Sequence, residues 1–161
     1  MAQLFNQTFS KQEILAHVGD ISQICEAKPV TLADGNRAGV SAVFFKTGSG
    51  LNFSVLPGRG MDIGMVDFKG MALSWRSSTG EVHPAFFEPE GNGMDRNYHG
   101  GLMHISGITY AGLPCTDNGR QLGLHGRASN LAAQNVWVDG AWQGDEYTVW
   151  VQGKLRETSA L

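Results

Sequence analysis

Glycine sets the first limit on what this chain can become. Its 161 residues include 22 glycines, about twice ordinary usage. They punctuate short apolar runs along the whole length instead of gathering in one low-complexity tract. Glycine tolerates backbone angles that other residues avoid, so each one marks a place where a segment can turn. Short apolar runs separated by such turns read as many short strands. The expected fold class is all-β, an antiparallel sandwich with a short N-terminal helix.

The runs can be placed. Residues 10–18 (SKQEILAHV) suit a short helix, with Ser10 as cap, Glu13 completing a capping box and Gly19 as the stop. After it the period changes. Segments 39–46 (GVSAVFFK) and 51–56 (LNFSVL) read as a hairpin across Thr47-Gly48-Ser49-Gly50. Segments 61–66 and 71–75 flank the turn at 67–70. Residues 77–100 carry Pro84, Pro89 and several glycines, and read as a long loop, a feature more often functional than idle. A strand is expected over 101–110 and a further loop over 112–130. Segments 135–139 and 146–157 form a last hairpin across 140–145. With no linker, charge block or repeat, the organisation expected is an N-terminal extension, 1–19, and one sandwich domain, 20–161.

Composition narrows the partners. The hydrophobic fraction of 42% supports a real core, and charged residues at 17% with a net charge of -3 leave no concentrated basic face for a nucleic acid. The longest apolar runs fall well short of the roughly 20 residues that span a bilayer. The first residues, MAQLFNQTFSKQEILAHVGD, lack the basic start and apolar stretch of a secretion signal. Cys25 and Cys115 are isolated thiols without CxxC spacing. Together these features point to reduced cysteines in the cytoplasm.

Histidine is the natural place to look for chemistry near neutral pH. His17 falls in the helix and reads as a surface residue. His83, Glu88, His99 and His104 could supply a mixed metal-ligand set, but their spacing matches no recognised metal signature. On a straight strand His99 and His104, five apart, would face opposite ways. Backbone-bonded loop histidines are the simpler reading, and no metal or cofactor is assigned. Gly58-Arg59-Gly60 and Gly91-Asn92-Gly93 lack the strand-to-helix setting of a phosphate loop. His125 and Arg127 sit in a glycine-rich loop after Asp117-Asn118-Gly119, where Gly123 and Gly126 let the backbone approach a ligand. Planar hydrogen-bonding groups with an aromatic platform such as Tyr98 or Trp75 would suit a sugar, although an ordinary turn fits the spacing equally well.

At this point the sequence resembles a known family. The stretches Pro57-Gly58-Arg59-Gly60-Met61-Asp62-Ile63-Gly64, Leu73-Ser74-Trp75, Gly100-Gly101-Leu102, Gly112-Leu113-Pro114 and Leu122-Gly123-Leu124-His125-Gly126-Arg127 resemble a bacterial branch of the galactose-mutarotase-like (aldose 1-epimerase) superfamily, catalogued only as a domain of unknown function. The resemblance covers roughly residues 20–157 and corresponds to the N-terminal half of that family's domain. It implies a β-sandwich that binds a free aldose, hexose or pentose, in an open cleft. Aldose 1-epimerases interconvert sugar anomers with a proton donor at the ring oxygen and a base at the anomeric hydroxyl. The resemblance maps the family's first histidine, in a Leu-His-Gly motif, onto His125 as the catalytic residue. It makes Arg127 a substrate contact, with His99, Arg96, Arg59 and Asp62 as further substrate-binding candidates. Arg59 and Asp62 belong to the branch motif and could equally be structural. The family's second histidine and catalytic glutamate have no counterpart here, so weak or absent mutarotase activity is expected. An incomplete sandwich is also expected to self-associate or to take up a complementary chain. The competing readings are a non-catalytic carbohydrate-binding module and a metal-dependent β-fold enzyme built on His83, His99 and His104.

Overall fold

The computed structural model describes residues 2–4 and 7–160. Strands β1 (Ala2–Leu4) and β2 (Gln7–Phe9) form a small antiparallel pair. Helix α1 (Lys11–Leu15) follows, shorter than the sequence suggests. Its capping box is present: Ser10 Oγ accepts from the Glu13 N–H, and the Glu13 carboxylate accepts from the Ser10 N–H at 2.7 Å. With only Ile14 buried, the helix has one apolar anchor and ends at Ala16, before Gly19 is reached.

Strands β3 (Glu26–Thr31), β4 (Ser41–Lys46), β5 (Leu51–Leu56), β6 (Asp62–Phe68) and β7 (Met71–Ala72) make a five-stranded antiparallel meander in that order. Strand β3 did not stand out in the sequence because Pro29 interrupts it. It is an edge strand, the one place where a missing N–H costs no ladder bond. The expected β4–β5 hairpin is present, pairing Val43 with Val55 and Phe45 with Phe53. Strands β6 and β7 turn through Lys69 (φ 50°) and Gly70 (φ 81°), the double positive φ of a tight hairpin turn.

The strand expected over 101–110 is replaced by a short pairing of β8 (Trp75–Arg76) with β9 (Gly100–Gly101). Gly100 and Gly101 both have positive φ, which turns the chain aside before a strand can extend. Met103 makes one bridge to Ile63, and the chain then leaves the sheet. Within 112–130, β10 (Cys115–Asp117) and β11 (Arg120–Leu122) form a hairpin across Asn118-Gly119, an unread Asn-Gly signal. Finally β12 (Gln134–Gln143) pairs with β13 (Glu146–Lys154). The turn is only Gly144-Asp145, so 140–143 belong to the strand.

The β12–β13 ribbon packs over one face of the meander. Val43, Phe45 and Val55 are buried there against Ala27, Phe53, Met61, Val138, Val149 and Val151. Phe45 and Phe53 stack with centroids 4.4 Å apart. Burial of a side chain such as Phe45 contributes about 2–3 kcal/mol, so this two-layer contact is what holds the ribbon to the sheet. The fold is thus mostly antiparallel β with short helical turns, as expected. No helix among the described residues is long and apolar enough to cross a membrane.

Candidate functional site

The Pro57-Gly58-Arg59-Gly60 turn is a docking point for the chain's later loops. A Cβ on Gly60 (φ 66°) would lie 2.6 Å from the Ala128 carbonyl oxygen, so only glycine lets the 128–129 turn pack this closely. The Gly60 N–H donates to Leu131 O at 2.8 Å, and the Ala133 N–H donates to Pro57 O at 2.8 Å. The Arg59 guanidinium is fully buried beneath this turn. It donates to Val82 O at 2.6 Å and to Ser129 Oγ at 3.4 Å, while its Nε–H has no partner. Burial pushes its pKa down, and the charges of Asp62 and Glu81 oppose that.

Asp62, the first residue of β6, is the hub of a buried polar cluster. Its Oδ2 accepts from Ser129 Oγ at 2.5 Å, from His99 Nε2 at 2.9 Å and from His104 Nδ1 at 3.1 Å. Its Oδ1 accepts the Ile105 N–H at 2.6 Å. Burial by itself would raise the Asp62 pKa. The hydrogen bonds from His104 and His99, the charge of His104 and the bond from Ser129 outweigh it and hold the carboxyl at about 2. His99 and His104 share a side because the chain reverses at Gly100-Gly101 and does not run on as a strand; their rings lie 5.7 Å apart.

The donor atoms of Asp62, His99 and His104 all lie within 4.8 Å of one another, so these three are the residues that could hold a metal. The four-residue set His83, Glu88, His99 and His104, which the sequence offered as the less simple reading, is not assembled. His83 caps a short turn, accepting from the Ala85 N–H at 3.0 Å, and Glu88 pairs with Arg96. The electrostatics also disfavour a dication in the Asp62 cluster. The charge of the Asp62 carboxylate already acts on the buried Arg59 guanidinium, so a divalent ion would leave a large uncompensated positive charge out of water. A hydrogen-bonded brace accounts for the cluster without one.

The second assembly is the loop around His125. The His125 N–H donates to Gly112 O at 2.8 Å and the Leu124 N–H to Gly91 O at 2.9 Å. Gly123 lies against the Pro89 carbonyl, and Gly126 (φ 75°) against the Tyr110 carbonyl, with no space for a side chain at either. The loop is thus wedged between the 89–91 and 107–112 segments. It opens on a cavity of about 360 Å3 lined by Glu90, Tyr110, Asp117, Arg120, Arg127 and Glu157, among others. His125 is exposed and is not itself part of the cavity lining, although Gly123, Gly126 and Arg127 of its loop are. His125 has φ 55°, an uncommon value for a residue with a side chain. A larger cleft of about 430 Å3, between β3, β4 and β12, has no titratable side chain in its lining and offers no acid–base chemistry.

The six residues singled out from the sequence therefore fall in three places. Arg127 lines the polar cavity, and His125 is exposed two residues before it in the same loop. His99, Asp62 and Arg59 meet in the buried brace, joined by His104 and Ser129. Arg96 is exposed and forked onto Glu88, with Nε 2.7 Å from Oε1 and Nη2 against Oε2. Ser129, Arg120 and Glu157 were not singled out, because contacts across 67 residues or at the end of a strand leave no local signature.

The model of the family described as "Domain of unknown function (DUF4432)" matches residues 37–161. The chain belongs to that family. No curated protein matches it. Among solved structures, this DUF4432 chain is similar to a "putative aldose 1-epimerase" from Klebsiella pneumoniae, with a TM-score of 0.67 and 25% identity. The likeness covers 82% of the DUF4432 chain and 35% of the Klebsiella protein, so the chain spans about a third of that protein's length.

Proposed function

We propose that this DUF4432 chain is a carbohydrate-binding protein of the aldose 1-epimerase type, with its sugar site in the cavity beside Leu124-His125-Gly126-Arg127. The observation that carries the reading is that this loop opens on a polar cavity, in a fold similar to that of the Klebsiella protein. Arg127 contacts the sugar, and His125 at the margin supplies a proton to the ring oxygen. Arg59, Asp62 and His99 act from beneath, holding the 128–129 turn that follows Arg127. Cys25 and Cys115, both free, suit a reducing compartment, and we place the protein in the cytoplasm.

Anomer exchange needs an acid and a base together. Of the five histidines only His125 belongs to a loop that lines the cavity: His99 and His104 bind Asp62, His83 caps a turn, and His17 is exposed just beyond α1. The bases left to partner His125 are the cavity carboxylates Glu90, Asp117 and Glu157, intrinsically weaker bases than imidazole, so sugar binding with little turnover is the expected behaviour, which favours a binding module over an efficient epimerase. The test pairs two measurements on α-galactose, α-glucose and deoxyribose. Ligand-observed NMR should detect binding that His125→Ala or Arg127→Ala weakens. Polarimetry should give mutarotation close to the buffer rate. No binding of any sugar would overturn the proposal; fast mutarotation abolished by His125→Ala would replace the binding-module reading with the enzyme.

A further inference from the structure

The cavity beside the His125 loop contains a carboxylate with nothing to do. Glu157 lies just beyond β13 and lines the cavity together with the loop residues Gly126 and Arg127. Its Oε2 is buried and has no hydrogen-bond partner. Leaving such an acceptor unsatisfied out of water is costly. Arg120 and Arg127 line the same space, yet among the described residues neither makes a side-chain hydrogen bond or ion pair within the chain, and neither reaches Glu157. Acceptor and donors thus border one cavity without meeting, the arrangement expected when a third species bridges them. A species with adjacent hydroxyls can do so, since each hydroxyl both donates to a carboxylate and accepts from a guanidinium.

The charges indicate which kind. Three carboxylates (Glu90, Asp117, Glu157) border the cavity against two guanidiniums (Arg120, Arg127). An anionic ligand would bring its charge to a cavity whose lining is already net negative and against the unpartnered Glu157 Oε2. We infer that Glu157 is a ligand-contacting and specificity-determining residue, which accepts hydroxyl hydrogen bonds from an uncharged saccharide and selects against sugar phosphates. This rests on the sugar-site reading above and adds to it a residue and a substrate class.

Galactose, glucose and deoxyribose, each beside its phosphate ester, are titrated into the full chain by calorimetry or NMR, and the experiment is repeated with Glu157→Gln and Glu157→Asp. The unmodified protein should bind a neutral sugar at least about tenfold more tightly than its phosphate. Glu157→Gln should weaken neutral-sugar binding about tenfold, the worth of one good hydrogen bond to a charged group, and should narrow or reverse the discrimination. Glu157→Asp, which keeps the charge, should still reject the phosphate. It also serves as the second variant if Glu157→Gln fails to show a normal melt. Neutral-sugar affinity unchanged by both substitutions overturns the inference while leaving the sugar site standing. A preference for phosphate in the unmodified chain overturns it too. Failure of the unmodified chain to bind any of the six ligands removes the sugar site itself and this inference with it.

Discussion

Asp62 concentrates more interactions than any other single side chain in the polar core. Four donors converge on its two oxygens, from Ser129, His99, His104 and the Ile105 N–H. Asn keeps one acceptor oxygen but turns an NH2 donor toward donors from the 99–105 stretch and Ser129, so Asp62→Asn should destabilise the fold by about 3 kcal/mol, read as a fall in the urea midpoint. The carboxyl pKa is depressed from 3.8 to about 2. A depressed carboxylate favours the folded state at pH values above the unfolded pKa. That contribution, on the order of 2 kcal/mol, is lost as pH falls from about 4 towards 2. Urea midpoints measured between pH 5 and pH 2.5 should therefore drop more steeply for the unmodified protein than for Asp62→Asn. Equal slopes would mean that Asp62 is not held by these bonds. The sequence placed Asp62 and Arg59 in a shared motif but did not say what they do. A PGRGMD hexapeptide carries no sign that Ser129 will close over it, because the contact depends on a meander and two loops folding first.

At the scale of elements, the readable parts were those governed by local rules. The Ser10–Glu13 box, the β4–β5 hairpin and the alternation of Val43 and Phe45 against Lys46 follow from capping, turn chemistry and strand period. The elements missed obey longer-range rules. Strand β3 is tolerated with Pro29 because, among the described residues, no strand pairs with its outer edge, and 101–110 fails as a strand because Gly100 and Gly101 redirect it under tertiary packing. The turn glycines give a test of which loops are held by packing. Gly119 (φ 79°) has open space where a Cβ would stand, so Gly119→Ala should cost only the backbone strain, about 1 kcal/mol. Gly126 (φ 75°) faces the Tyr110 carbonyl, so Gly126→Ala adds a clash against backbone to the same strain and should cost about 3 kcal/mol or more. Thermal melts of the two variants settle the ranking. Sugar binding should survive in Gly119→Ala and fail in Gly126→Ala, since only the second displaces the wall formed by Arg127. Equal melting losses would show that the His125 loop is not wedged.

Considered whole, the molecule has a well-covered meander and a poorly covered ribbon. Strand β13 pairs with β12 on one side, and among the described residues no strand pairs on the other. Such an edge presents unused N–H and C=O groups to any strand that reaches it. The β3 edge is protected by Pro29, whereas β13 contains no proline. Large apolar side chains are also exposed elsewhere, with Leu113 76%, Trp75 64% and Met71 62% accessible. These features predict that the chain self-associates through β13. In an antiparallel two-fold pairing centred on Trp150, Thr148 of one copy would oppose Gln152 of the other, and both side chains are exposed. Thr148→Lys with Gln152→Lys would then place like charges face to face without touching the core. Light scattering across about a hundredfold concentration range should show the unmodified chain rising above its monomer mass and the double variant remaining near it. Because association by mass action stabilises the folded state, the melting temperature of the unmodified chain should rise with concentration and that of the double variant should not. A monomer throughout, with a melt independent of concentration, would mean that the right-handed twist of the two-stranded ribbon already turns the β13 edge away from partners.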